Sequence, residues 1–304
     1  MDIKYKASFF AVVMAVVLAI CKFIIGSMSG SMAVISSGLD SLLDVFMSGM
    51  NLYAIKRASM PADDSHQYGH GKIEDFAAVI ESLVIIGVGA IIIYNAVIGF
   101  IQEIRVQYTL FDIPVMILSL VVSLVVSFVL KRTSYKTDSL ALKADAVHYT
   151  SDIYSNLGAI LAIILTYYTG YSYFDFAFAI IIGFIIIVSA LRVFKDGISG
   201  LMDKSITDKK LKEIRDIIET MPFPYAGFHK LRTRTAGSKK YIDFHLLLCR
   251  KSNIKDAHEI SETLEDEIKR RSPSIDITIH LEPCDKDCNM TEDTCAVKNT
   301  CKDT

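Results

Sequence analysis

Asp40 and Asp44 stand four residues apart in the run SSGLDSLLDVFMSGM, and His148 and Asp152 stand four apart in ADAVHYTSDIYSN. On a helix that spacing stacks each pair on one face. Both runs lie in stretches long enough to cross a bilayer, where an ionisable group costs at least about 2.5–3.5 kcal/mol at the helix centre. Two acids on one face also repel. Neither Asp40 nor Asp44 has a lysine or arginine within its own span, so a bound cation is the simplest compensation. If the two helices face each other, they supply three carboxylates and one imidazole, a four-ligand set suited to tetrahedral Zn²⁺. The mixed oxygen and nitrogen donors also suit Cd²⁺, Fe²⁺, Co²⁺ or Mn²⁺, but not Cu⁺, which prefers thiolate. The competing reading makes each pair a structural hydrogen-bonding group; two matched pairs argue against it.

Further donors lie outside these stretches. The segment PADDSHQYGHGK places Asp63, His66 and His70 close together, with Gly69 and Gly71 permitting an irregular backbone. From the residues alone, a solvated loop with two unliganded histidines is an open alternative. Toward the C-terminus, His229, His245, His258, His280 and Glu282 fall within a region of about 80 residues. A single histidine on a strand is more often packed or exposed than liganded; five potential ligands together suggest metal. Glu81 lies inside an apolar stretch with no assigned partner. Four of the six cysteines, Cys284, Cys288, Cys295 and Cys301, crowd the last residues with the spacing C-x3-C-x6-C-x5-C. That spacing matches no strong zinc motif.

Six apolar stretches must position the first four residues: roughly 8–28, 31–54, 76–100, 109–130, 141–168 and 175–194. A helix needs about 20 residues to cross a bilayer core. The chain has 304 residues, is 52% hydrophobic and carries a net charge of −2. Bulk charge therefore suggests neither nucleic acid nor an acidic partner. The first apolar run lacks a small-residue cleavage site and reads as a retained span. Lys and Arg gather in the N-terminal lead, in the second and fourth loops and after the sixth span. The positive-inside rule then places both termini in the cytoplasm of a multi-pass cell (inner or plasma) membrane protein.

Beyond residue 203 the composition turns polar. TDKKLKEIRDIIETM reads as a helix, FHKLRTRT and YIDFHLLLC as strands joined through Gly237, DAHEISETLEDEIKRR as an amphipathic helix and DITIHLEP as a strand. The expected organisation is an α-helical membrane domain of six transmembrane helices over 1–202. A cytoplasmic α+β domain follows over 203–284, αββαβ and ferredoxin-like in order. The tail, 285–304, is polar and cysteine-dotted and reads as disordered. In the cytosol its thiols stay reduced.

The run from SSGLDSLLD through HQYGHGKIE, followed by ADAVHYTSDIYSN, resembles the cation diffusion facilitator family, most like its bacterial FieF/YiiP-type iron and zinc efflux branch. The resemblance extends from the first span to LEPC at 281–284. It implies export of divalent metal from the cytoplasm driven by inward proton flow, and a homodimer with a metal-binding cytoplasmic domain. It implies a transport site at Asp40, Asp44, His148 and Asp152, a loop site at Asp63, His66 and His70, and a cytoplasmic site at His229, His245, His280 and Glu282, with His258 serving a second ion. Glu282 departs from the Asp of close relatives, and Glu81 from their amide. A manganese branch carries Asp where this chain has His148, so the imidazole favours Zn²⁺, Fe²⁺ or Cd²⁺ as substrate and regulatory ligand.

Ligands must deprotonate to bind metal, and an imidazole titrates near neutral pH. His148 is therefore the expected proton-linked member of an alternating-access antiporter. The absence of a GxxxxGK[ST] motif and of a nucleophile elbow leaves ATP drive and hydrolase activity unsupported, and no enzyme activity is expected. Two alternatives remain: a membrane-anchored metal sensor or scaffold that dimerises on metal binding without transport, and a passive channel.

Overall fold

The computed structural model describes residues 2–29, 32–102, 112–169, 173–223, 225–250 and 252–284. The tail at 285–304, three of its cysteines included, lies outside the described residues. The chain divides into two compact units, residues 1–201 and 202–304.

The first unit is a bundle of six helices: α1 (Ile3–Ser29), α2 (Met32–Ala58), α3 (Lys72–Ile101), α4 (Asp112–Thr137), α5 (Leu140–Thr169) and α6 (Tyr173–Leu201). Four of them, α1, α3, α4 and α6, are long and apolar enough to cross a membrane by composition alone. The other two, α2 and α5, are as long but carry the acids and His148. Large apolar side chains such as Phe46, Phe128 and Phe184 face outward, as expected where lipid replaces water. The interior combines small residues and polar contacts with buried large side chains such as Ile55, Leu130 and Leu142, and in lipid close packing rather than apolar burial holds helices together. The α3–α6 contact shows this directly. A Cβ on Gly89 would lie 3.2 Å from the Gly183 carbonyl oxygen, and one on Gly183 would lie 2.6 Å from Ile93.

The helices outrun the apolar stretches. α4 continues through Lys131, Arg132 and Lys136 to Thr137, and α6 continues to Leu201. Hydropathy marks only the part of a helix that meets hydrocarbon, whereas its backbone hydrogen bonds continue into the aqueous layer. At the start of α3 this extension buries Glu74. Its carboxylate accepts from Lys4 Nζ at 2.7 Å and from Ser139 Oγ at 2.6 Å, tying α1 and the residue just before α5 to α3.

The second unit follows the expected αββαβ order: α7 (Asp208–Glu219), β1 (Gly227–Ala236), β2 (Lys239–Leu248), α8 (Ile254–Arg271) and β3 (Ile275–Pro283). The strand order is β1-β2-β3, with β1 and β2 antiparallel and β2 and β3 parallel. Gly237 turns the hairpin at φ 59°. Asn253 caps α8 by accepting the Asp256 N–H at 3.0 Å. Alternation along β2 sends Ile242, Phe244, Leu246 and Leu248 into a core with Ile214 and Ile218 of α7 and Leu264 and Ile268 of α8. The residues between them, His245 included, fall on the opposite face of the sheet.

Candidate metal centres

The i,i+4 spacing on α2 and α5 does what helical geometry requires, and the packing of the two helices brings their polar faces together. One ligand atom each from Asp44, His148 and Asp152 lies within 4.8 Å of the others. His148 Nε2 is 2.9 Å from Asp44 Oδ1, and both side chains are about 15% exposed, at 15% and 16%. Two carboxylates and an imidazole thus converge inside the bundle, a donor set that fits a divalent transition metal. Asp40, one turn away on α2, is exposed and stands outside this group. It lies within electrostatic reach of Asp44 and of Lys22.

Lys22 is a residue the sequence reading passed over. It projects from α1, is buried, and donates from Nζ to Ser41 Oγ at 2.8 Å and to the Ser37 carbonyl at 3.4 Å. Its ammonium lies within electrostatic reach of Asp44, Asp152 and Asp40. The basic neighbour that the 31–54 stretch lacks comes instead from α1. A lysine in the middle of AVVLAICKFIIG was the available signal.

The loop between α2 and α3 holds a second cluster, Asp63, His66 and His70. Asp63 Oδ1 accepts the backbone N–H groups of His66 at 2.7 Å and Ser65 at 3.0 Å. The His66 N–H is the main reason the carboxyl sits below the usual carboxylate range. His66 Nδ1 and His70 Nε2 approach the same carboxylate at 3.2 and 3.3 Å. His70 is buried and its Nδ1 has no hydrogen-bond partner among the described residues. Gly69, at φ 77°, takes the left-handed backbone that lets the loop fold back.

In the second unit the register aligns His229, His245 and His280 in one row across β1, β2 and β3. Glu282, two residues beyond His280, falls on the same face. Its carboxylate lies 2.7 Å from His229 Nε2 and 2.6 Å from His245 Nδ1. These contacts, His245 first, hold the Glu282 carboxyl down to about 2. His229, His245 and Glu282 each offer a ligand atom within 4.8 Å of the others. His280 rims this set, with Nε2 3.8 Å from Glu282 Oε1 and its ring centroid 4.6 Å from that of His245. His258 is exposed on α8 and outside the cluster. A bulge between His229 and Arg232, with Lys230 at φ 51°, interrupts β1 beside its histidine.

Comparison with known proteins gives a consistent picture. Residues 8–202 match the model of the cation efflux transmembrane domain, and residues 206–284 match that of the cation efflux protein cytoplasmic domain. The cation-efflux pump FieF of Citrobacter koseri is 33% identical over 92% of this chain and 92% of its own length. That of Salmonella arizonae is 32% identical over 83% of this chain and 84% of its own length. Among solved structures, the metal-bound C-terminal domain of the CzcD transporter from Thermotoga maritima is 30% identical, covering 26% of this chain and 94% of that one, with a TM-score of 0.24.

Proposed function

The chain belongs to the cation efflux family, and we propose that it exports a divalent transition-metal ion, Zn²⁺, Fe²⁺ or Cd²⁺, from the cytoplasm in exchange for protons. The observation that carries this reading is the convergence of Asp44, His148 and Asp152 from two membrane helices. The ion is substrate here, and the protein needs no covalent chemistry. In the state open to the cytoplasm, Asp44 and Asp152 present carboxylates and His148 a protonated imidazole. Binding displaces the proton from His148, since a ring nitrogen cannot hold both. Tilting of α2 and α5 against their neighbours exposes the site to the far side, where protonation of His148 releases the ion. Asp40, exposed one turn along α2, serves as an approach ligand. Lys22 supplies counter-charge to the acids while the metal is absent.

In the second unit, His229, His245 and Glu282 would hold a resident ion, with His280 at its edge and His258 recruiting another. The fit rests on the donors: two imidazoles already converge on one carboxylate. Such an ion supplies a cross-link between β1, β2 and β3 and would report cytoplasmic metal through the subunit contact of a homodimer. Asp63, His66 and His70 form an entry or regulatory site. The basic residues of the second and fourth loops support cytoplasmic termini in an inner or plasma membrane.

Flux into proteoliposomes under an imposed pH gradient tests the reading, comparing Zn²⁺, Fe²⁺, Cd²⁺ and Mn²⁺ for the wild type and for Asp152→Ala. Undiminished uptake by the variant would remove the site assignment. Uptake indifferent to the gradient would remove antiport. A protein that binds metal and dimerises but never transports would be the sensor alternative.

A further inference from the structure

One turn from the metal ligands lies a second polar cluster that the site above does not use. Asp145 sits on α5 three residues before His148, and Glu81 of α3 lies within electrostatic reach of it. Both side chains are fully buried. Glu81 Oε2 accepts from Asn51 Nδ2 at 2.7 Å, and Asp145 Oδ1 accepts from Ser48 Oγ at 3.0 Å. Ser48 and Asn51 are three apart on α2, so they share a face with about 5–6 Å between their Cβ atoms. They therefore anchor the two carboxyls to one face of α2, within electrostatic reach of each other. Ser48 Oγ also lies 3.1 Å from the Tyr149 hydroxyl.

What marks the cluster is the count of unsatisfied atoms. Among the described residues, Glu81 Oε1, Asp145 Oδ2 and Asn51 Oδ1 are buried without a hydrogen-bond partner. All three are acceptors, so what they lack is a donor. The partners the two carboxyls do have are an amide and a hydroxyl, neither of them charged. Two buried carboxylates at one place repel and cannot both keep their charge without compensation. A single proton meets both demands: it removes one charge and turns one orphan acceptor into an O–H donor.

We propose that Glu81 and Asp145 form a proton-binding site distinct from the metal ligands, and that this site carries one of the protons exchanged for metal. The proposal rests on the antiport reading above and deepens it. The ionisable groups that act on Glu81 are Asp145 and His148 of α5; those that act on Asp145 are His148 and Asp44. From α6, which packs along α3, the apolar Ile186 and Ala190 close the space around Ile85, one turn on. A divalent ion arriving beside Asp44 and His148 adds positive charge within reach of the pair and favours its doubly ionised form. The O–H bond then breaks, the electron pair stays on the carboxylate oxygen, and H⁺ leaves toward the cytosol. When the ion departs on the far side, the carboxylate takes up H⁺ from there.

The test uses full-length protein in proteoliposomes, with metal uptake and luminal pH followed together, and titration calorimetry of Zn²⁺ in buffers of different ionisation enthalpy. In Glu81→Gln the new amide oxygen still accepts from Asn51, so the fold is conserved. Protons displaced per Zn²⁺ should fall by about one in this variant, and its Zn²⁺ affinity should change less than that of Asp152→Asn. Asp145→Asn should do the same, which keeps the test independent of either single variant. An unchanged proton count in both variants, with a wild type that does exchange protons, would overturn the inference and leave antiport standing. A wild type that moves Zn²⁺ without protons would overturn antiport itself. Na⁺-dependent uptake in the wild type that Glu81→Gln abolishes would overturn the proton as occupant.

Discussion

Two regions of this protein assemble nearly the same donors in opposite surroundings. Inside the bundle, Asp44, Asp152 and His148 come from two helices and are largely shielded. On the sheet of the second unit, His229, His245 and Glu282 come from three strands, and their side chains are 44%, 25% and 27% exposed. On the open face, water screens each charge, and Glu282 is satisfied by two imidazoles. In the bundle, charge must be balanced from within, and Lys22 and the Glu81–Asp145 pair gather around the ligands. The difference teaches that a shielded site couples its occupancy to neighbouring charges, whereas an exposed one can hold an ion without moving anything else. On the function proposed above, exchange belongs to the first and residence to the second.

The sharpest way to break this comparison is to disable one site and read the other. Asp152→Ala should reduce Zn²⁺ flux to background while leaving the stoichiometry of Zn²⁺ held on the sheet intact, measured by calorimetry on the full chain. The reciprocal change, His245→Ala, should remove the sheet-bound ion and lower flux only in part. Equal loss of flux in both variants would erase the distinction between exchange and residence.

Lys22→Met addresses the internal balance. Removing one positive charge near three acids should tighten Zn²⁺ binding by roughly five- to thirtyfold, an electrostatic change on the order of 1–2 kcal/mol, and slow turnover by delaying release. Lys22→Arg should restore wild-type values. Weaker binding in Lys22→Met would mean that the lysine shapes the site rather than charging it.

The smallest effect concerns the metal-free sheet. Glu282 is held down to about 2 in the fold, against an ordinary value near 4.5. Its contribution to stability is therefore fully present above about 4.5 and is lost as pH falls from there through about 2. Glu282→Gln should flatten that acid limb of thermal unfolding, read by calorimetry without metal, lowering stability above about pH 4.5 and changing little near pH 2. An unaltered acid limb would mean that the imidazoles do not favour the folded carboxylate.

Much of the architecture was legible because its causes are local. Length and apolarity mark α1, α3, α4 and α6 as spans and length marks α2 and α5, though α4 and α6 run on past their apolar stretches because the helix ladder does not depend on hydropathy. Period-2 alternation marks β1, β2 and β3, and the turn at Gly237 was visible as a turn residue. The two i,i+4 pairs were visible for the same reason, since 3.6 residues per turn stack them whatever surrounds the helix.

Which faces meet is a different matter. Asp44 and His148 are 104 residues apart in the chain, and only the packing of α2 against α5 makes them neighbours. The same packing leaves Asp40 at the edge, draws in Lys22 from α1, and sets Glu81 beside Asp145 through Ser48 and Asn51. On the sheet, residue types announced candidate ligands, but the register selected His229, His245 and Glu282 and left His258 apart on α8. The sequence by itself determined the elements, their order and the donors each one carries, because hydrogen bonding and side-chain periodicity act over a few residues. The tertiary structure decided which donors share a site and which charges answer them, because helix packing and strand register act between residues far apart in the chain.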